Sequence, residues 1–79
     1  MKLELYKKDT CPYCRRVFDY LESADRKDIV FKDVIHDQAA ADELVKTGGK
    51  LQVPCLFIDG EPMYESLDII QWLKDHPEQ

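Results

Sequence analysis

Apolar and polar positions change their period several times along the chain. Residues 2–6, Lys-Leu-Glu-Leu-Tyr, alternate, with Leu3 and Leu5 on one side and Glu4 and Tyr6 on the other, which is the period of a half-buried strand. From Cys14 the repeat lengthens: Cys14, Val17, Phe18 and Leu21 fall at i, i+3, i+4 and i+7, one face of a helix. Strand therefore gives way to helix at the cysteines. Ile29 to Val34 is rich in β-branched residues and predicts a second strand. Asp37 then caps a helix running through Ala40, Leu44 and Val45 until Gly48 and Gly49 stop it. Residues 54–64 hold an apolar run, an Asp59-Gly60 pair suited to a tight hairpin turn, and a second short run that Pro62 confines to a sheet edge. Ser66 is expected to cap a last helix with Leu67, Ile70 and Leu73 along one face and Pro77 beyond its end.

The order β-α-β-α-β-β-α predicts an α/β domain, a four-stranded mixed sheet flanked by three helices. Its first two strands are parallel through a crossover helix and its last two form a hairpin. Seventy-nine residues are expected to form one domain, 1–79, because a chain this short buries only about 60% of the surface its unfolded form exposes. Apolar residues make up 44% and charged residues 34%, the balance of a soluble globular protein, and no apolar run approaches the roughly 20 residues that span a bilayer. The first ten residues lack the apolar core of a secretory signal, so the expectation is a cytoplasmic monomer with no membrane partner. The net charge of -5, with no Lys/Arg cluster longer than a pair, also argues against nucleic acid.

Three cysteines do not make a disulfide framework, since secreted scaffolds of this size carry even sets of four or more. Two of the three, Cys11 and Cys14, bracket Pro12 and Tyr13. Pro12 suits the first helical position, where its missing N–H costs nothing. Cys11 is then left at the helix cap, where backbone N–H groups and the positive end of the helix dipole favour a thiolate. Lys8 precedes it, and Arg15 and Arg16 follow. Cys14 lies about one turn on, within reach of a disulfide to Cys11. An exposed Cys11 and a covered Cys14 would divide the work, the first attacking and the second resolving a mixed disulfide. A zinc or iron–sulfur site normally wants four ligands, and only Cys55, His36 and His76 remain to complete one, so no metal is expected.

Cys-Pro-Tyr-Cys after a first strand, preceded by Tyr-Lys-Lys-Asp-Thr and followed by Gln-Val-Pro-Cys-Leu-Phe-Ile-Asp-Gly and a final helix, resembles a dithiol glutaredoxin of the thioredoxin-like fold. The resemblance covers nearly the whole chain. It implies a thiol–disulfide oxidoreductase and carrier of reducing equivalents, with glutathione as co-substrate and disulfide-bonded or glutathionylated proteins as partners. It further implies that Lys8 helps hold a glutathione carboxylate, that Pro54 is cis, and that Val53 offers its backbone to an extended peptide. Tyr13, exposed between the cysteines, would flank that peptide. One stretch departs from the pattern: Glu65-Ser66 is similar instead to the Glu-Ser pair of the glutathione-binding half of glutathione S-transferases. That pair implies Ser66 as the contact for the γ-glutamyl carboxylate and Glu65 for the amino group. Ser66 as a plain N-cap is the alternative from the residues alone.

Three other readings share these residues. A redoxin recharged by thioredoxin reductase would use the same dithiol. Two chains could share an iron–sulfur cluster through Cys11 and bound glutathione. Conjugation of glutathione to electrophiles would need an all-helical second domain, for which 79 residues leave no room. Asp68 is expected as a dipole-compensating surface residue, Cys55 as a small buried apolar residue, His36 and His76 as solvated, and Phe57 and Trp72 as core.

Overall fold

A computed structural model describes residues 1–78. It contains β1 (Leu3–Lys7), α1 (Pro12–Ser23), β2 (Ile29–Asp33), α2 (Gln38–Gly48), β3 (Cys55–Ile58), β4 (Glu61–Tyr64) and α3 (Ser66–Asp75). The strands form one sheet in the order β2-β1-β3-β4, with β1 and β2 parallel and the β1–β3 and β3–β4 pairs antiparallel. This is the four-stranded mixed sheet expected from the element order, in the thioredoxin-like arrangement that the resemblance implies. Asp59 and Gly60 both take positive φ, 50° and 89°, which a two-residue hairpin turn between right-twisted strands requires. Pro62 lies on the edge strand β4, where an absent N–H breaks no ladder. No helix among the described residues is long and apolar enough to cross a membrane.

Both faces of the sheet are covered. Leu3, Leu5 and Leu56 meet Val17 and Leu21 of α1 and Ile69 and Leu73 of α3 on one face. Tyr6, Cys55 and Phe57 meet Ala40 and Leu44 of α2 on the other, with the Tyr6 and Phe57 rings 4.5 Å apart. The half-buried strand expected at β1 is therefore corrected: the alternation is real, but Tyr6 is also buried, because α2 packs over the second face. Two helical faces also differ from expectation. In α2, Val45 is exposed while Ala41 is buried, and in α3 the inward set is Ser66, Ile69 and Leu73, leaving Leu67 65% exposed and Ile70 only half-buried. Leu67, Ile69, Ile70, Trp72 and Leu73 spread apolar side chains around much of α3, so periodicity alone did not fix which side turns inward.

The position of α3 is also held from outside the core. Arg26, its side chain 4% exposed, donates from one terminal nitrogen to the carbonyls of Leu73 and His76, both at 2.8 Å. Its other donors form a fork on the Asp28 carboxylate at 3.1 and 2.7 Å. The loop after α1 thus closes the C-terminal end of α3, whose orphan carbonyls would otherwise lack partners.

Candidate active site

Cys11 stands at the N-cap of α1 with extended backbone (φ -85°, ψ 120°), its carbonyl accepting from the Arg15 N–H at 3.0 Å, and Pro12 is the first helical residue. No acidic residue sits in the first turn to compete for the free N–H groups. The exposed tip expected for Cys11 is corrected: the residue is only 7% exposed, because the segment before β3 lies over it. Protonated, its thiol points to the Val53 carbonyl at 3.8 Å. Cys14 is fully buried, so Cys11 remains the more accessible sulfur of the two.

The two thiols are driven apart electrostatically. Burial pushes Cys11 up, but the backbone N–H groups of Cys14 and Tyr13, the Cys14 thiol and the charge of Lys8 together draw it below the ordinary thiol range. Cys14 is pushed up to about 11, first by burial and then by its hydrogen bond to Cys11 and the charge there. Of the two, Cys11 is therefore the sulfur that ionises first, with Cys14 as its hydrogen-bond donor.

Beside this pair lies a cleft of about 280 Å³ walled by Tyr13, Gln52, Val53, Pro54, Glu65 and Ser66. The Val53-Pro54 bond is cis. Five of the sequence-derived binding residues thus converge on one cavity. Lys8 is not among its walls and acts on Cys11 through its charge. Gln52 escaped attention as a wall residue, and its adjacency to Val53-Pro54 was the available signal.

Ser66 as N-cap is also corrected. It is the first residue of α3 and is buried, while Glu65 takes the cap position at φ 73°, ψ 116° without a side-chain hydrogen bond. The first intrahelical bond runs from the Ile69 N–H to the Glu65 carbonyl at 3.0 Å. The N–H groups of Ser66, Leu67 and Asp68 therefore have no partner from a capping side chain, and an anion placed there would meet them and the helix dipole. At α2, by contrast, the Asp37 carboxylate fills this role itself, accepting from Ala39 and Ala40 at 3.0 and 3.3 Å.

Other candidates fall outside the site. Cys55 is fully buried on the α2 face, and burial pushes it up to about 11. His36 is exposed, its ring nitrogen 2.9 Å from Asp33, while His76 stacks on the half-buried Trp72. Arg15, Arg16 and Asp68 face solvent, and Tyr13 is 59% exposed with the Arg16 guanidinium 5.7 Å from its ring centre. Among the described residues no three Cys, His, Asp or Glu side chains are grouped to hold a metal ion. A larger cleft of about 500 Å³ includes Met1, Arg26 and Asp75, but Arg26 there is committed to Asp28 and the end of α3.

Comparison with known proteins bears on this geometry. The family described as glutathione S-transferase, N-terminal domain, matches residues 5–79. Glutaredoxin 3 of Escherichia coli strain K12 is 39% identical over 61 residues, which cover 75% of this chain and 70% of that protein. A crystal structure of a thioredoxin-like protein superposes with a TM-score of 0.76 at 29% identity, covering 91% of this chain and 99% of that one. Glutathione transferase Omega 3C from Trametes versicolor superposes with a TM-score of 0.75 at 27% identity, covering 95% of this chain; the chain spans 33% of that transferase.

Proposed function

Since the chain belongs to the glutathione S-transferase N-terminal-domain family and is a glutaredoxin-like thiol–disulfide oxidoreductase, we propose that it uses glutathione to reduce protein disulfides and glutathionylated proteins through Cys11 and Cys14. The observation that carries this reading is the split between the two sulfurs, one lowered at a helix N-terminus and the other held protonated beside it.

In the first step the Cys11 thiolate attacks one sulfur of the substrate disulfide in line with the S–S bond. A new S–S bond to Cys11 forms, the substrate bond breaks, and the departing thiolate takes a proton from solvent. With a glutathionylated protein the attacked sulfur is that of glutathione, so the protein leaves as a thiol and Cys11 carries glutathione. A second glutathione then attacks that mixed disulfide, releasing oxidised glutathione and the Cys11 thiolate. With a protein disulfide, Cys14 resolves the intermediate: it loses its proton, attacks the Cys11 sulfur and expels the reduced substrate. Forming the mixed disulfide discharges Cys11 and so removes one of the causes that hold Cys14 high. Two glutathione molecules return the Cys11–Cys14 disulfide to the dithiol.

The cleft suits glutathione. The uncapped first turn of α3 at Ser66 would receive the γ-glutamyl carboxylate and Glu65 the amino group. Val53 would pair with the peptide backbone, Pro54 and Tyr13 would wall it, and Lys8 would attract the second carboxylate while favouring the Cys11 thiolate.

The test is reduction of a glutathionylated substrate and of a protein disulfide by wild type, Cys11→Ser and Cys14→Ser. Each is assayed with glutathione and glutathione reductase, and separately with thioredoxin reductase. Cys11→Ser is expected to lose both activities, and Cys14→Ser to lose only protein-disulfide reduction. Activity retained in Cys11→Ser overturns the roles, and recycling only by thioredoxin reductase overturns glutathione as reductant.

A further inference from the structure

Among the described residues the outer edge of β2 has no strand beside it, and Val30 and Phe31 there are 52% and 50% exposed. An open edge of this kind is a template for another strand unless its sequence forbids pairing. The sequence across it, residues 27–33, reads Lys-Asp-Ile-Val-Phe-Lys-Asp. Turned antiparallel about Val30 and laid against a second copy of itself, it sets Lys27 opposite Asp33, Asp28 opposite Lys32, Ile29 opposite Phe31 and Val30 opposite Val30. Every charge then meets its opposite.

The backbone has the matching phase. The Val34 N–H donates to the Lys7 carbonyl on the β1 side at 3.1 Å, so by alternation Val30 and Lys32 direct their backbone groups at β1, while Ile29 and Phe31 direct theirs outward. In the register about Val30, Ile29 of one copy and Phe31 of the other are the residues that exchange both N–H···O=C bonds. Four such bonds form across the seam. Opposed residues also share a face: Ile29 and Phe31 belong with the α1 side, where Phe31 packs against Phe18 at 6.0 Å between ring centres. Lys32 lies with Glu4 on the α2 side.

Neighbouring registers lose this fit. Centring on Ile29 sets Arg26 opposite Lys32, and centring on Phe31 sets Lys32 opposite Val30 and Asp33 opposite Ile29. A parallel in-register pair sets each charge against its own copy. The Lys27 side chain is held only at the surface by Asp25, with both side chains more than 70% exposed, and is free to turn to Asp33 of the facing copy. Asp28, Lys32 and Asp33 keep their own-chain partners, Arg26, Glu4, and Lys7 with His36, and would share them with the facing charges.

We propose that the β2 edge is a self-association surface through which two copies join antiparallel about Val30 into one eight-stranded sheet. This departs from the monomer expected from sequence. The two-fold axis passes through the Val30 pair normal to the sheet. Both Cys11 sites then lie at opposite ends of the dimer, open to substrate. The strand is short, so association is weak and visible at high protein concentration.

Among antiparallel registers only this one places residue 30 against its own copy, and a parallel in-register pair is disfavoured by the like charges it opposes at residues 27, 28, 32 and 33, so charge at position 30 is diagnostic. Wild type, Val30→Asp and Val30→Lys, with thiols kept reduced to exclude disulfide dimers, are examined by sedimentation velocity from micromolar to millimolar concentration. Wild type is expected to dimerise, and each variant alone to associate roughly fivefold or more weakly from the like charges opposed across the axis. An equal mixture of the two variants is expected to regain or exceed the wild-type affinity. Amide exchange at Ile29 and Phe31 in wild type should slow as concentration rises. Absence of dimer across the range, variants that associate as wild type does, or a mixture no tighter than its parts overturns the proposal.

Discussion

Cys55 gives a quantitative test of how the fold separates a structural thiol from the redox pair. It is fully buried beneath α2, and burial raises its pKa from 9.0 to about 11. A thiol whose folded pKa lies above its unfolded value favours the folded state while both are protonated. Its contribution is fully present below the unfolded pKa and disappears as pH rises through the folded one. The shift of about two units is worth about 3 kcal/mol in full, of which roughly half is lost by about pH 10. Cys55→Ala abolishes this loss and costs about 1–2 kcal/mol at neutral pH for the atom removed from the core. Urea unfolding of wild type and Cys55→Ala between neutral pH and about pH 10.5 reads the effect of Cys55 together with the part of the Tyr64 and Tyr6 shifts that it causes, while alkaline groups away from it cancel in the difference. The stability gap should shrink steadily above about pH 8.5. A gap constant over the whole range, or alkylation of Cys55 in the native protein at neutral pH, refutes the burial argument.

Three further outcomes follow from single contacts. Cys14→Ala removes a hydrogen-bond donor to the Cys11 thiolate and should raise the Cys11 pKa, whereas Cys14→Ser keeps a donor and should not; thiolate absorbance against pH distinguishes them. Arg26→Ala strands the Asp28 carboxylate and uncouples the end of α3, so chemical denaturation should show a loss of about 2–3 kcal/mol, and a loss under about 0.5 kcal/mol would count against the clamp. Glu65→Gly relieves the positive φ and should gain up to about 1 kcal/mol in stability while weakening glutathione binding by calorimetry; a stability loss would show that the φ of 73° is not strained.

Much of the framework was legible because local signals and tertiary structure agreed. The changeover from strand to helix at Cys11–Cys14, the Asp37 cap and the Asp59-Gly60 turn each rest on residues close in sequence. What escaped depends on distant parts of the chain. Residues 3–6 could not reveal that α2 covers the Tyr6 side of β1. The β-branched character of residues 29–34 does not distinguish a central strand from the exposed edge that β2 forms. At Cys11 the helix-cap position was visible, but the Val53 carbonyl that screens it lies 42 residues away. On α3, with Glu65 rather than Ser66 at the cap, Ser66 and Ile69 lie inward and Leu67 is in solvent. Tyr13 was named from its place between the cysteines and Val53, Pro54, Glu65 and Ser66 from resemblance, and only the folded chain gathers them around one cavity with Gln52.

The proposed chemistry depends most on one thiolate forming where α1 begins. Alkylation of the reduced wild-type protein across pH, with each modified cysteine located by mass spectrometry, measures this directly. Cys11 should react with a midpoint below that of an ordinary thiol and ahead of Cys14, which burial pushes up to about 11. A Cys11 midpoint at or above the ordinary value, or Cys14 reacting first, would contradict it.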